Sequence, residues 1–158
     1  MLSPSPFPGS APGLLTGHAE IDQEHRLLLS TLGRLREACL RFDEPRDCGG
    51  CDALTAAQCH NTLVELLGDL LMFLIEHFQK EEAIMKESGL TTREREICER
   101  HKEDHAAISQ TILDIVTALD PARTAHLVRS LHTVLERWQH NHIRLHDQIL
   151  VRLLLPAL

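Results

Sequence analysis

The sequence has no Tyr and only 3% aromatic residues in all. β-branched residues are sparse and scattered, so nothing alternates in the way a strand requires. Strands are therefore not expected. An excess of basic charge is also missing. The formal net charge is −7, which argues against a nucleic-acid partner. No stretch is long and apolar enough to span a membrane. Residues 1–13 (MLSPSPFPGSAPG) have neither the cationic start nor the apolar run of a signal peptide. A soluble cytoplasmic protein is the expectation.

Cysteine is present but does not form a framework. An odd count of five argues against structural disulfides in such a chain. Cys48-Gly-Gly-Cys51, followed by Cys59, has the spacing of a redox or metal motif. A zinc site would need four ligands, and no second CxxC or nearby His pair is present unless His60 joins. The plainer reading is a glycine-bearing turn with free thiols. Cys39 and Cys98 fall in helical patterns and read as small apolar fillers.

What remains is helical. Leu, Ala, Glu, Arg and His dominate, and these are good or neutral helix formers. The chain has 158 residues, 43% of them hydrophobic, enough for one domain with a sizeable core. Residues 1–17 read as an extended Pro/Ser/Gly arm and residues 18–158 as a bundle domain. The periodicity predicts four helices. The first runs from about Asp22, a plausible N-cap, to Arg41, with His25, Leu28, Leu32 and Leu35 on its stripe. The second runs from Leu54 or Thr55 to Glu87, with Leu67, Leu70, Leu74, His77, Glu81 and Met85, and Gly89 follows as a natural terminator. The third runs from Thr92 to Leu119, with Ile97, His101, His105, Ile108, Ile112 and Leu119. The fourth runs from Ala122 to at least Leu150, with Leu127, Leu131, Leu135, Trp138, His142, Leu145 and Ile149. Amphipathic helices joined by short loops favour an all-α, antiparallel up-down-up-down four-helix bundle.

Each helix places His on its apolar stripe. A single such His is more often a core residue bonded to a carbonyl than a ligand. Here five occur, on all four helices, among Leu and Ile that cannot satisfy them. Burying unpaired imidazoles is costly, and a metal ion removes that cost by accepting their lone pairs. His77 and Glu81 are four apart and share a face, as do His101 and His105. Glu82 is one position off and faces outward or supports a ligand from behind. Histidines 18, 60, 126, 132 and 140 read as surface residues. On the fourth helix two partners for His142 compete. His146 lies four residues on, one turn away. Asp147 lies five on, rotated by about 140° in an α-helix. Spacing favours His146. Charge favours Asp147, because two ferrous ions with one carboxylate would leave a large positive charge in the core.

Four elements in order resemble one known family: Ile21-Asp22-x-x-His25, His77-Phe78-x-x-Glu81-Glu82-x-x-Met85, His101-x-x-x-His105 and Trp138-x-x-x-His142-Ile143-x-x-x-Asp147. Together they resemble hemerythrin, in its bacterial form bacteriohemerythrin, over about residues 14 to 150. The resemblance implies two iron ions joined by an oxo or hydroxo bridge. It implies terminal ligands His25, His77, His101, His105 and His142, with Glu81 and Asp147 as bridges, so it selects Asp147 over His146. It also implies that His101, His105 and His142 serve one iron and His25 and His77 the other. These groups fill all but one of the about twelve positions of two octahedral ions. As the family implies, dioxygen binds reversibly at the open one.

Trp138, Gln139 and Ile143 are expected to line the oxygen pocket. Gln139 stands where the family usually carries Leu, and a polar group there is expected to alter autoxidation. Two connections, between His25 and His77 and between Glu81 and His101, are longer than usual. Leu90-Thr91 replaces a common aromatic-Pro pair. Enzymatic di-iron bundles use Glu-x-x-His pairs, and none occurs here, so binding is expected rather than catalysis, with weak peroxidase or NO chemistry as a lesser alternative. A sensor role is the main alternative. The apolar run Leu150-Val151-Arg152-Leu153-Leu154-Leu155-Pro156 could meet an output domain or a dimer partner.

Overall fold

The computed structural model describes residues 13–39, 42–44 and 46–154. Among them the protein is all helical, with no strand. Helix α1 is Ala19–Glu37, α2 Ala53–Glu87, α3 Thr92–Thr117 and α4 Thr124–His142. A π-helical turn, Ile143–Asp147, and a short helix α5, Gln148–Leu154, continue α4. The backbone stays in the right-handed helical region across both junctions, so α4, the π turn and α5 run on as one stretch. Two 3-10 turns, Cys48–Gly50 and Pro121–Arg123, lie in the connections. No helix among the described residues is long and apolar enough to cross a membrane.

Local chemistry sets the helix ends. Asp52 caps α2, accepting from Thr55 N at 2.9 Å. Gly89 follows α2 at φ +58°, a conformation that glycine adopts at no steric cost. Thr91 and Glu94 then form a reciprocal capping box at the start of α3. Asp22 does not cap α1 as expected. It lies inside the first turn and folds back on the preceding chain, accepting from Thr16 N and Oγ1 and from Gly17 N. The helix itself starts without a side-chain cap.

Helix α1 is also shorter than the expected end at Arg41. The chain turns after Glu37, with Phe42 N–H bonded to Cys39 O at 3.0 Å. Phe42 then packs edge-on against His132, with ring centroids 5.0 Å apart. His132 is buried, not on the surface as expected. His126 and His140 are exposed, and His18 and His60 are half-buried. The arm expected over residues 1–17 lies mostly outside the described residues. Its described end is tied down by Gln148, which donates to Gly13 O and Leu15 O.

The core has two apolar parts. The larger joins Leu28, Leu32 and Leu35 of α1 to Leu63, Leu67, Leu70 and Leu74 of α2, Ile108 and Ile112 of α3, and Leu127, Leu131 and Leu135 of α4. The smaller joins Met85, Leu90, Cys98 and Leu150, with Leu154 packed against it. Each fully buried Leu contributes roughly 1.5–3 kcal/mol. In α2, α3 and the α4–α5 stretch, the buried His and carboxylates fall in sequence between these two parts. That level is early in α1 and α3 but late in α2 and α4.

The stripe of the fourth segment departs from expectation beyond His142. Leu145 is 60% exposed and Ile149 half-buried, whereas Leu150 is 2% exposed and Val151 is buried with it. The π turn explains this. Gln148 N–H bonds to Ile143 O, five residues back. One extra residue enters the turn, and every later side chain is displaced by one position.

Candidate metal centre

Seven side chains from all four long helices and the π turn converge here. His25 comes from α1, His77 and Glu81 from α2, His101 and His105 from α3, His142 from α4, and Asp147 from the end of the π turn. All seven are buried. Two overlapping donor groups result: Glu81 with His101, His105 and His142, and His25 with His77, Glu81 and Asp147. Glu81 belongs to both. Within each group the donor atoms lie within 4.8 Å of one another.

The distances suit ions sitting between these atoms. Glu81 Oε2 lies 3.1 Å from His105 Nε2, 3.3 Å from His101 Nε2, 3.6 Å from His77 Nε2 and 3.7 Å from His142 Nε2. Asp147 Oδ2 is 2.7 Å from His25 Nε2, and its Oδ1 is 3.1 and 2.9 Å from His101 and His142 Nε2. His101 and His142 bring their Nε2 atoms within 3.1 Å of each other. At a metal–ligand length of about 2.1 Å, adjacent corners of an octahedron lie about 3 Å apart. Glu81 Oε1 and His25 Nδ1 are buried with no hydrogen-bond partner among the described residues. Each such atom costs about 1–3 kcal/mol if nothing satisfies it. For Glu81 Oε1, a cation at the centre would do so. Imidazole nitrogens and two carboxylates, one of them shared by both groups, form a donor set that fits iron.

The outward nitrogens matter as much. His77 Nδ1–H donates to Glu24 Oε2 at 2.6 Å. His142 Nδ1–H donates to Asp104 Oδ2 at 2.6 Å, and His105 Nδ1–H to Glu82 Oε1 at 3.2 Å. A proton on Nδ1 leaves the Nε2 lone pair free to face inward, and the carboxylate fixes the orientation of the ring. Lys80 also binds Glu24, and Trp138 Nε1–H donates to Asp104 Oδ2 at 2.8 Å. Spacing within a helix could not reveal Glu24 or Asp104, because each supports a His on another helix. Their only visible mark is a carboxylate next in sequence to a His on the stripe.

Charge is concentrated here. Burial and neighbouring Glu81 push the Asp147 carboxyl up, but His101, His142 and His25 outweigh them and hold it well below its ordinary value. Burial raises Glu81 too, and His101, His105 and His142 more than reverse that. His142 is pushed down by burial and carried well above its ordinary value by Asp104, Asp147 and Glu81. The same protons that balance the carboxylates would give way to a metal ion.

His146 belongs to neither of these two groups but forms a third, less buried one with His142 and Asp104. Its ring stacks on His101 at 5.0 Å and 28°. It is half-buried, and burial together with the charge of His101 and His142 lowers its pKa to about 4. The π turn carries Asp147 to the position beneath His142 that a regular helix would have given His146.

Of the residues expected to line an oxygen pocket, Trp138 and Gln139 contact the residues of this group. Trp138 stacks on His142 at 4.5 Å, and Ile143 is buried. Gln139 is 2% exposed, and its Nε2 donates to the His25 carbonyl at 3.2 Å. Among the described residues no donor cluster includes a cysteine.

No curated protein and no solved structure matches the chain. A family description does match: the Hemerythrin HHE cation binding domain, over residues 16–154 of the 158. With a cation-binding donor set at the centre of its helical bundle, the chain belongs to the hemerythrin family.

Proposed function

We propose that this protein holds two iron ions and binds dioxygen reversibly between its helices. The observation that carries this reading is the pair of buried donor groups sharing Glu81. His101, His105 and His142 would hold one ion, His25 and His77 the other, with Glu81 and Asp147 spanning both. With both carboxylates serving both ions, the side with two imidazoles would have one donor fewer and would be the one left to accept a small molecule. When bound, the iron pair supplies that position and the electrons that dioxygen takes up.

The chain's own residues do the rest. Glu24, Glu82 and Asp104 fix three imidazoles in the tautomer that faces inward. Ile143, Phe78 and Trp138 restrict water around them. Gln139 ties α4 to the backbone at His25 and places a polar group beside the centre. Replacing it with Leu should change the autoxidation rate and oxygen release. Unchanged rates for both would rule out that role.

Binding is favoured over turnover because the donor set is rich in His and lacks Glu-x-x-His. Of the apolar C-terminal run offered as a route to an output domain or dimer partner, Leu150 and Leu154 pack with Met85, Leu90 and Cys98, and Leu155 and Pro156 lie outside the described residues.

The test is iron content together with the visible spectrum of the reduced, anaerobic protein before and after air. About two irons per chain and a charge-transfer band that reverses on deoxygenation are expected. Substoichiometric iron, or no oxygen-dependent band, would overturn the reading.

A further inference from the structure

The cysteine turn serves the other end of α4. The 19 residues of α4 separate that end from His142 by roughly 27 Å. Helix α4 starts without a side-chain cap of its own. The loop satisfies two of its first amides instead. Ala125 N–H donates to Cys48 Sγ at 3.3 Å, and His126 N–H to Asp47 Oδ1 at 3.4 Å. Arg129 holds the loop in place by donating to Glu44 O at 3.0 Å and Arg46 O at 3.1 Å. The sulfur of Cys48 is thus part of a cap supplied from a distant segment of the chain.

The same turn brings Cys48 and Cys51 together. Cys51 N–H donates to Cys48 O at 2.9 Å. A four-residue turn closed this way has its end Cα atoms less than about 7 Å apart. Disulfides bridge Cα separations of about 4.4–6.8 Å. Cys48 opens the 3-10 turn and Cys51 follows it in extended conformation, so the two cysteines stand at the two ends of one closed turn. Gly49 has open space where a Cβ would stand, which leaves the turn room to adjust. Cys51 is half-buried and reachable, whereas Cys48 is 7% exposed. The two thiols therefore have different access to a reagent.

We propose that Cys48 and Cys51 are a redox-active dithiol that closes to a disulfide by exchange with a low-molecular-weight disulfide, and that closure loosens the cap on α4. Cys51 gives up its proton and attacks one sulfur of the external disulfide. That S–S bond breaks, and one thiol leaves with the proton. Cys48 then gives up its proton and attacks the Cys51 sulfur, and the second thiol leaves. Two cysteines lose two electrons, and one external disulfide is reduced to two thiols. In the product Cys48 Sγ carries a second bond, and its approach to Ala125 N–H changes. None of this depends on whether iron is bound.

The experiment equilibrates the full chain with a hydroxyalkyl disulfide and its thiol at graded ratios. Free thiols, linkage by peptide mapping, and Tm are then measured. The thiol count is expected to fall from five to three, with a Cys48–Cys51 link, no retained adduct, and a Tm lowered by a few degrees and restored by reductant. Cys48→Ser should trap the adduct on Cys51, and Cys51→Ser should react far more slowly. A count that stays at five, or a link that includes Cys39, Cys59 or Cys98, overturns the dithiol. A Tm that does not move on oxidation overturns the cap. Reaction of Cys51→Ser as fast as the parent overturns the assignment of Cys51 as the entry thiol.

Discussion

Helix α3 and the α4 stretch each offer two donors to one centre, by different backbone geometry. On α3, His101 and His105 are four apart in a regular helix, and both face inward. On the α4 stretch, His142 and Asp147 are five apart, and a π turn makes up the difference. Asp147 Oδ1 still comes within 2.9 Å of His142 Nε2. The difference teaches that donor spacing in a sequence is a spacing along the chain. It becomes a direction in space only once the local helix type is known.

The largest expected effect tests that geometry directly. On the proposed two-iron reading, Asp147→Ala should abolish iron retention, since loss of a direct donor should cost more than the 10–100-fold that a supporting partner contributes. Moving the carboxylate one residue back, as Asp147→Ala with His146→Asp, should not restore it. His146→Ala alone should keep its iron. Iron content after desalting reads all three, and recovery in the double variant would break the account of the π turn.

Next come the carboxylates behind the imidazoles. Asp104→Asn and Glu24→Gln should each weaken metal affinity by about 10–100-fold, measured against a competing chelator. Glu82→Gln should weaken it less. Its side chain is 42% exposed and its bond to His105 is 3.2 Å, against 2.6 Å for the other two. An equal loss on all three would mean that burial of the supporting pair does not matter.

This contrast also marks what the sequence made legible. The His and Glu81 positions were readable because Leu, Ile and His repeat at three and four residues on α1, α2 and α3. Asp147 was ambiguous because nothing in His142-Ile-Arg-Leu-His-Asp147 announces an extra residue in the turn. Charge balance and family resemblance pointed to Asp147, and the π turn supplies the reason. The same turn explains why Leu145 leaves the stripe on which regular counting places it. Glu24 and Asp104 were hidden for another reason: they act across helices, and their partners are known only once the helices are packed. Cys48 capping α4 from a distant loop was hidden in the same way.

The displaced stripe makes its own prediction, and it needs no metal. If the segment after His142 were a continuous α-helix, Leu145 would be a core residue. With the π turn, Leu150 is. Leu150→Ala should therefore cost about 2–5 kcal/mol in metal-free denaturation. Leu145→Ala, at a 60% exposed position, should stay within about 0.5 kcal/mol. Reversed magnitudes would restore the regular helix.

The smallest effect lies in the regular part of α4, where counting by threes and fours still holds. Val128, Leu131, His132 and Leu135 are all buried there, so His132 belongs to the stripe's edge. Burial pushes its imidazole below the ordinary value. Glu136 raises it and Arg36 lowers it, but burial dominates. The folded protein therefore binds this proton less readily than the unfolded chain, whose His titrates near about 6.5. Above that pH neither state holds the proton, and His132 adds no pH dependence. As the pH falls through it, the unfolded chain takes up the proton first and stability drops. Metal-free His132→Leu should lack this contribution. Its Tm relative to the parent should be constant above about pH 6.5 and rise below it. A Tm difference that does not change with pH would place His132 at the surface and confine the usefulness of regular counting on α4 to its apolar residues.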